Sequence, residues 1–461
     1  MTTPDNQLPD YIASATPNPT TNRAAWNKNT APTYAGIFLW FVFWLGATNA
    51  PNAGGVLAHG VWAPILSLAF AALLCYAFYY LILGLMGQQT GFPLYIVGTS
   101  TFGAKGGFVL PGFLMGVLQF GWLGVNIFFS AMALSAIIPG PPWILMVIWG
   151  VLAAFMGLKG IQYVARVATY LPLIPLTALL VMFFMTSTGL ASFDGKAFTE
   201  LHESRVATAL PALSPFMLFA FVVTYVVGFF ATAGAAGVDF GTNSRNERDV
   251  HMGGLVGIAA AILFTAGLAT LIVAGAYGKA SIAQEAAAAE EMPMTAFALI
   301  PYVLGEGLGK WVFFLLAVSA FPAACFSAFV AANSFKSTLS KVNPFVSVGI
   351  GTAASILLAV TGLAGDLVPV FTIIGASFGP ICGAMAVDYM MNGCKWAGPR
   401  AGFNPAGWLA WGFGFVVGIM PNLGLPLPLA PVWAMLVGGG IYFLATKAGL
   451  QSAVLPLRPK H

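Results

Sequence analysis

Residues 46–55 read GATNAPNAGG and interrupt the first long apolar stretch of this 461-residue chain. Residues 232–241 read TAGAAGVDFG and interrupt the sixth. Backbone at membrane depth must be hydrogen-bonded, so an interrupted span is tolerated only beside protein or a water-lined cavity. Glycine also lets membrane helices pack closely, so either segment alone is weak evidence. Because both begin a five-span half, together they predict an inverted-repeat transporter with its substrate near the bilayer midplane.

The composition makes the bilayer the expected solvent for most of the chain. Hydrophobic residues make up 59% of it and charged residues only 7%, against roughly 25% charged in a soluble domain. The four cysteines and four histidines are scattered, and no CxxC pair occurs, so neither a disulfide framework nor a zinc cluster is indicated. No GxxxxGK[ST] motif is present, which disfavours ATP-driven pumping.

Apolar stretches long enough to span the membrane, about 20 residues each, divide the chain into twelve predicted helices. They lie at 34–58, 62–86, 107–138, 142–159, 163–187, 211–240, 252–278, 310–333, 345–363, 366–391, 405–421 and 429–446. The predicted fold class is therefore an all-α polytopic membrane protein. Residues 279–309 connect spans 7 and 8, and either an amphipathic helix on the outer face or a solvated acidic loop fits their sequence.

The domain prediction follows from these spans. Residues 1–31 are polar and Pro-rich, and we expect a disordered cytoplasmic tail. Residues 32–447 form the membrane domain, with repeat one at 34–187, repeat two at 211–391 and peripheral helices at 405–446. Residues 448–461 form a second cytoplasmic tail.

The basic residues indicate the orientation. If the N-terminus is inside, fourteen of the 18 Lys and Arg residues fall in inside segments and four fall outside. This asymmetry predicts a multi-pass protein of the plasma (inner) membrane with both termini in the cytoplasm.

The third span carries a polar stripe that needs an explanation. Gln119, Trp122 and Asn126 share one helical face. A buried amide costs several kcal/mol unless it is paired. A planar heterocycle stacked on the indole and read by the two amides satisfies this requirement. Hydrogen bonding to neighbouring helices is the structural alternative.

The sixth span adds Phe230 and Thr232, a second aromatic ring and a hydroxyl beside the interruption. Phe230 also fits as simple core filler. Asp239 and Asp388 lie within or at the end of spans, and an acid in a membrane span is a functional candidate by default. Nearby basic residues offer the alternative of structural ion pairs.

The eighth span offers a cation site. Pro322 leaves the carbonyl of Val318 without its helical donor, next to the hydroxyl of Ser319. Free carbonyls and a hydroxyl suit a small cation. A proline kink capped by serine is an equally simple reading.

At these residues the chain resembles the nucleobase:cation symporter family, in particular its bacterial cytosine permease branch. The resemblance runs from about Pro32 to Thr446 and is carried by four motifs. They are YIVGTSTFGAKG at 95–106, QFGW at 119–122, FATAG at 230–234 leading to VDF at 238–240, and VDYMMN at 387–392.

The resemblance implies a LeuT-type fold with 5+5 inverted repeats, discontinuous helices 1 and 6, and symport of a nucleobase-like ring with Na⁺ or H⁺. By family role, Trp122 stacks on one face of the base and Phe230 on the other. Gln119 reads a polar edge, and Thr232 occupies the place of a small hydroxyl residue. Asn126 falls where other branches carry a substrate-binding amide.

The eighth span departs from the cytosine permeases. They carry asparagines that contact the base where this chain has Leu315 and Ala320. Asn126, Asn49 or Asn52 are the candidates to replace those amides. For the cation, the resemblance leaves Ser319 and backbone carbonyls between Phe43 and Gly46.

We therefore expect a secondary active importer of a nucleobase, cytosine or a related purine or pyrimidine, working by alternating access. Allantoin or a hydantoin, uracil, a hydroxymethylpyrimidine, or an amino-acid or amine carried on the same fold remain alternatives. We expect no enzyme activity, no cofactor beyond the coupling ion, no nucleic-acid partner, and the lipid bilayer as surroundings. The sequence does not determine the oligomeric state.

Overall fold

The computed structural model describes residues 8–206, 210–339 and 341–457, and nearly all regular structure in them is helical. The main helices follow. They are α1a (Thr30–Leu39), α1b (Phe41–Thr48), α2 (Trp62–Thr90), α3 (Phe108–Ser135), α4 (Pro142–Lys159), α5 (Ile161–Ser192), α6a (Pro215–Ala235), α6b (Gly237–Gly241), α7 (Glu247–Tyr277), α8 (Glu306–Thr338), α9 (Pro344–Val360), α10 (Leu367–Met391), α11 (Pro405–Ile419) and α12 (Ala430–Lys447).

Nine helices in the described ranges are long and apolar enough to cross a membrane, and the bent pair α1a and α1b makes up to ten. Large apolar side chains face outward, including Phe184 at 70%, Ile350 at 69% and Leu357 at 63% exposure. Such an outer surface requires a lipid solvent. The shorter α9 and the less apolar α12 are the two remaining predicted spans, so the count of twelve stays a prediction.

Helix 1 is discontinuous, as predicted, but its bend is not where the glycines and proline predicted it. The axes of α1a and α1b differ by 54°, and the bend is at Trp40, whose φ of −58° and ψ of 125° leave the helical region. The Tyr225 hydroxyl lies 2.8 Å from the carbonyl oxygen of Val42 and 3.1 Å from that of Phe43. Helix α1b runs on through Gly46 to Thr48, so residues 49–54 are the non-helical exit from the span.

Helix 6 is interrupted inside the predicted segment. The start of helix α6a is capped. The Ser214 side chain accepts a hydrogen bond from the Met217 amide, and Pro215 occupies the first turn. It ends at Ala235, and α6b starts at Gly237 after the single residue Ala236.

The helices pack in two groups. Helix α3 packs against α4, α8 and α9, while α7 packs against α1a, α1b and α2. Helix α6a contacts α2 and α10, and α10 packs on α11 and α12. The interruptions of helices 1 and 6 therefore lie in the group that contains α2 and α7, next to α3.

Residues 8–31 make specific contacts, whereas the sequence led us to expect disorder there. Asn18 donates to the Thr242 carbonyl at 3.0 Å, and Arg23 donates to the Gln88 carbonyl at 2.7 Å. Tyr11 donates to the Ala104 carbonyl and packs its ring 4.7 Å from that of Phe108. We call the end of the bundle where this segment lies the terminal face. Residues 1–7 and 458–461 of the two predicted tails lie outside the described residues.

The C-terminal residues pack on the same face. The Ala401 amide donates to the Ala453 carbonyl at 2.8 Å, and the Leu455 amide donates to the Pro399 carbonyl at 2.7 Å. The Ala104 amide donates to the Arg400 carbonyl at 2.7 Å, so residues 399–401 link the C-terminal residues to the segment that Tyr11 contacts.

The 279–309 connection is partly helical and partly inserted into the core. It contains the helices Ala280–Ala288 and Ile300–Leu304. Between them, Phe297 stacks on Phe41 of α1b at 5.1 Å and contacts Phe313 of α8 at 4.7 Å. The connection thus touches both helix 1 and helix 8, which neither sequence alternative described.

Candidate functional site

Trp122 lies at the centre of an aromatic cluster between helices 1, 3, 6 and 10. Its indole nitrogen donates to the Thr232 hydroxyl at 3.1 Å, so two of the predicted site residues are in direct contact. Its ring lies 5.0 Å from Phe229, 5.2 Å from Phe371 and 6.1 Å from Trp40. A half-buried indole in this setting is a flat apolar surface beside two helix interruptions.

Gln119 lies one turn before Trp122 and is only weakly engaged. Its amide nitrogen contacts the Met115 sulfur of the same helix at 3.6 Å. Sulfur is a weak acceptor. The amide therefore retains most of its capacity to bind a polar ring edge.

Phe229, rather than Phe230, faces Trp122. Phe230 is fully buried, and its ring lies 5.8 Å from both Tyr34 and Phe38 of α1a. The Phe229 ring meets the Trp122 ring edge-on, at an interplanar angle of 82°. Sequence reasoning missed Phe229 because two adjacent phenylalanines give no sign of which one faces the third helix.

Asn126 joins three helices. Its amide nitrogen donates to the Ala320 carbonyl of α8 at 2.9 Å. Its amide oxygen accepts from Trp149 of α4 at 3.1 Å and from Ser130 at 3.2 Å. Asn126 thus reaches α8 at Ala320, one of the two positions where the cytosine permeases carry an asparagine. Its three hydrogen bonds nevertheless favour a packing role for this buried amide.

The other predicted positions lie apart from this cluster. Asn49 is exposed and follows the end of α1b, where its backbone amide donates to the Gly46 carbonyl at 3.2 Å. Asn52 donates to the Pro211 carbonyl at 2.7 Å and ties this exit to the start of helix 6. Neither asparagine contacts the Trp122 cluster through a hydrogen bond in the described ranges.

The candidate cation positions are both engaged in local contacts. Gly46 packs against Tyr225, and a Cβ there would lie 2.3 Å from the Tyr225 hydroxyl oxygen. The Ser319 hydroxyl donates to the Leu316 carbonyl of its own helix at 2.7 Å. Helix α8 continues through Pro322. The Ser319 hydroxyl is the donor in its bond to Leu316, so its oxygen lone pairs stay available to a cation.

The two acids have structural partners. Asp239 accepts from the Leu94 amide at 2.9 Å and so fixes the connection between α2 and α3. Asp388 is 1% exposed and pairs with Arg400 at 3.1 Å. These contacts support the ion-pair alternative for Asp388 and a backbone-holding role for Asp239.

Sequence comparison relates the chain to cytosine permeases. It is similar to the cytosine permeases of Escherichia coli K12 and O157:H7, with 26% identity over 317 residues. The match covers 67% of this chain and 66%, just under two thirds, of each permease. No protein-family model matches the chain.

Structure comparison shows the fold. Inward-facing Mhp1 gives a TM-score of 0.65 at 16% identity, covering 97% of this chain and 99% of Mhp1. Closed Mhp1 with bromovinylhydantoin bound, described as a nucleobase-cation-symport-1 family transporter, gives 0.62 at 16%, with 100% and 98% coverage. A Na⁺-coupled sialic acid symporter in a substrate-bound outward-open state gives 0.59 at 14%, with 97% and 95% coverage.

These comparisons confirm two predictions made from the sequence motifs. The all-helical chain has the LeuT-type fold that Mhp1 and the sialic acid symporter share. The resemblance of this chain to the nucleobase:cation symporter family, with cytosine permeases among its relatives, is confirmed.

Proposed function

We propose that this chain is a secondary active transporter that imports a nucleobase by symport with a cation, through alternating access. The observation that carries the proposal is the Trp122 cluster. A flat indole, a weakly engaged Gln119 amide and the Thr232 hydroxyl meet beside the interruption of helix 6. Aromatic planes and amides recognise neutral flat rings with polar edges.

The site we propose combines this cluster with the positions that the family resemblance implies. In this site the base would contact Gln119, Trp122 and Thr232. Phe230 and Asn49 are further candidate contacts that the sequence suggests. The geometry adds Phe229 as the ring that faces Trp122. We leave Asn126 to experiment, because its amide is already bonded to α4 and α8.

Coupling follows from differential affinity. Ring and cation drive transport only if the closed state binds the pair more tightly than either open state does. The cation, Na⁺ or H⁺, would bind near Gly46 and Ser319. Tyr225 donates to the Val42 and Phe43 carbonyls in the present conformation, so a cation that used those carbonyls would share them with this hydroxyl.

The cargo we propose is cytosine or a related purine or pyrimidine. Cytosine is suggested by the names of the relatives, and a hydantoin by the ligand of Mhp1. Leu315 and Ala320 supply no amide in α8, so uracil, allantoin and a hydroxymethylpyrimidine are tested beside cytosine. The fold also admits an amino-acid or amine carrier, but the Trp122 cluster offers no group that would bind the carboxylate of an amino acid.

We further propose that the protein lies in the plasma membrane with its terminal face in the cytoplasm. The basic-residue asymmetry supports this orientation. Arg23, Arg245 and Arg400 make their contacts on the terminal face.

Uptake by proteoliposomes tests the proposal. Radiolabelled cytosine, adenine, uracil and allantoin are offered under an imposed Na⁺ or H⁺ gradient, with protein-free liposomes as the control. We expect one base to accumulate above its equilibrium level under one gradient and to leak out when an ionophore dissipates it. If no base accumulates under either gradient, the proposal is wrong, and accumulation of an amino acid instead would support the alternative carrier.

A further inference from the structure

Trp40 occupies the bend of helix 1. Its backbone is the one residue between α1a and α1b, and its ring lies 6.1 Å from Trp122 and 6.2 Å from Phe229. Nothing in the sequence distinguishes it, since it stands in the apolar run FLWFVFW at 38–44. The fold brings it to the same cluster as the proposed stacking residue.

The indole nitrogen of Trp40 is buried without an acceptor in the described part of the chain. Other indoles of the bundle do find acceptors. They are Trp44 with Leu39, Trp122 with Thr232, Trp149 with Asn126, Trp396 with Val97 and Trp411 with Ser377. Trp408 also lacks an acceptor, but it packs against Phe403 and Trp411 of the 403–411 region.

An unpaired buried donor is costly, so the Trp40 N–H needs a specific explanation. The aromatic neighbours of the Trp40 ring are the rings of Trp122 and Phe229, which are apolar. The cluster's two other polar side chains are Thr232, which accepts from Trp122, and Gln119, which contacts a methionine sulfur of its own helix. Neither accepts a hydrogen bond from Trp40 among the described residues. The missing partner of Trp40 is therefore a hydrogen-bond acceptor from outside the chain. A cation does not fit, since an N–H group only donates.

We propose that the Trp40 N–H donates a hydrogen bond to a carbonyl oxygen of the ring that stacks on Trp122. This inference rests on the proposed function and narrows its substrate class to bases that carry an oxo group. Cytosine, uracil and allantoin each carry at least one, whereas adenine carries none and offers only ring nitrogens as acceptors. Trp40 then reads the ring from the bend of helix 1, while Gln119 reads it from helix 3.

The test compares Trp40→Phe with wild type and with Trp44→Phe. The control removes an indole from the same helix whose N–H already donates to the Leu39 carbonyl at 3.3 Å. Equilibrium binding is measured with cytosine and with 4-aminopyrimidine, which is cytosine without its carbonyl. One lost hydrogen bond predicts about a tenfold weaker Kd for cytosine in Trp40→Phe, and little change for 4-aminopyrimidine. Trp44→Phe should bind cytosine like wild type.

Thermal unfolding of the ligand-free protein supplies a second readout. Trp40→Phe deletes a donor that has no partner, so its Tm should be at or above that of Trp44→Phe, which deletes a bonded donor. An unchanged cytosine Kd in Trp40→Phe would overturn the inference, and so would an equal loss for both ligands. If wild type itself binds no base, the proposed function is wrong. If wild type binds cytosine and Trp40→Phe binds it equally well, only the inference about Trp40 is wrong.

Discussion

The Trp122 cluster and the Asp388 site on the terminal face treat buried polar groups in opposite ways. Both oxygens of the Asp388 carboxylate accept hydrogen bonds, and five side chains donate to them. The donors are Ser100, Thr101, Asn392, Arg400 and Tyr442. In the Trp122 cluster, among the described residues, Gln119 has only a sulfur contact and Trp40 has no acceptor. Apart from the Arg400 Nε, which has no partner among the described residues, the Asp388 network is paired and holds the fold together, whereas the weakly paired groups of the Trp122 cluster lie where we propose a ligand.

The largest expected effect is on stability at Asp388. Asp388→Asn leaves the 4%-exposed Arg400 without its counter-charge, which should lower the free energy of unfolding by about 3–5 kcal/mol. Thermal melting of the detergent-purified protein measures this. The double variant Asp388→Asn/Arg400→Met should recover much of the loss. A melting temperature equal to that of wild type would show that the network is not structural.

The next effect is on binding at Trp122. Trp122→Ala removes the stacking surface, and base stacking of about 1–3 kcal/mol predicts that base affinity falls roughly 100-fold. The protein should remain folded, as size-exclusion chromatography can verify. Trp411→Ala is the matched control, because its indole donates to the Ser377 carbonyl in a different helix pair. Retained affinity in Trp122→Ala would move this residue to a packing role.

A smaller effect separates the two amides of helix 3. Asn126→Ala breaks bonds to α4 and α8 and should lower stability by about 1–3 kcal/mol, with little change in base affinity. Gln119→Ala should do the reverse, with unchanged melting and about tenfold weaker binding. Binding and melting are measured on both variants side by side. If Asn126→Ala loses affinity without losing stability, its amide belongs to the ligand after all.

The smallest expected effect concerns the ion. The Ser319 hydroxyl donates its hydrogen to the Leu316 carbonyl, so its oxygen lone pairs could supply one weak ligand to a cation. Ser319→Ala should raise the ion concentration for half-maximal uptake about threefold, as loss of one weak ligand would. Ser327→Ala, in the same helix, is the control. An unchanged ion dependence would remove Ser319 from the site.

Helix positions were largely predictable, because about 20 apolar residues between polar breaks are enough to identify a span. The bend of helix 1 was not predictable from glycine and proline. It lies at Trp40, among large apolar residues, and just beyond it the Tyr225 hydroxyl of helix 6 donates to the carbonyls of Val42 and Phe43. A contact between residues 182 positions apart leaves no local signal in the sequence.

The site was predictable only in part for a similar reason. Trp122 and Thr232 were both predicted, and they meet through a hydrogen bond. Tertiary packing decides the other two features. It sets the rotation of helix 6 that turns Phe229 toward Trp122, and it places Asn126 within hydrogen-bonding distance of α8. Periodicity predicts that residues share a face, but not which neighbour that face meets.

The packed N-terminal segment has a consequence for the order in which the chain matures. Its residues leave the ribosome before their partners, because Arg23 bonds to a residue 65 positions later and Asn18 to residues 224 and 225 positions later. Contacts at such separations form only after the later partners are made. The segment can dock fully only once residues 242 and 243, which follow helix 6, have been synthesised. Protection of Arg23 from trypsin would therefore report completion of the first six spans during biogenesis.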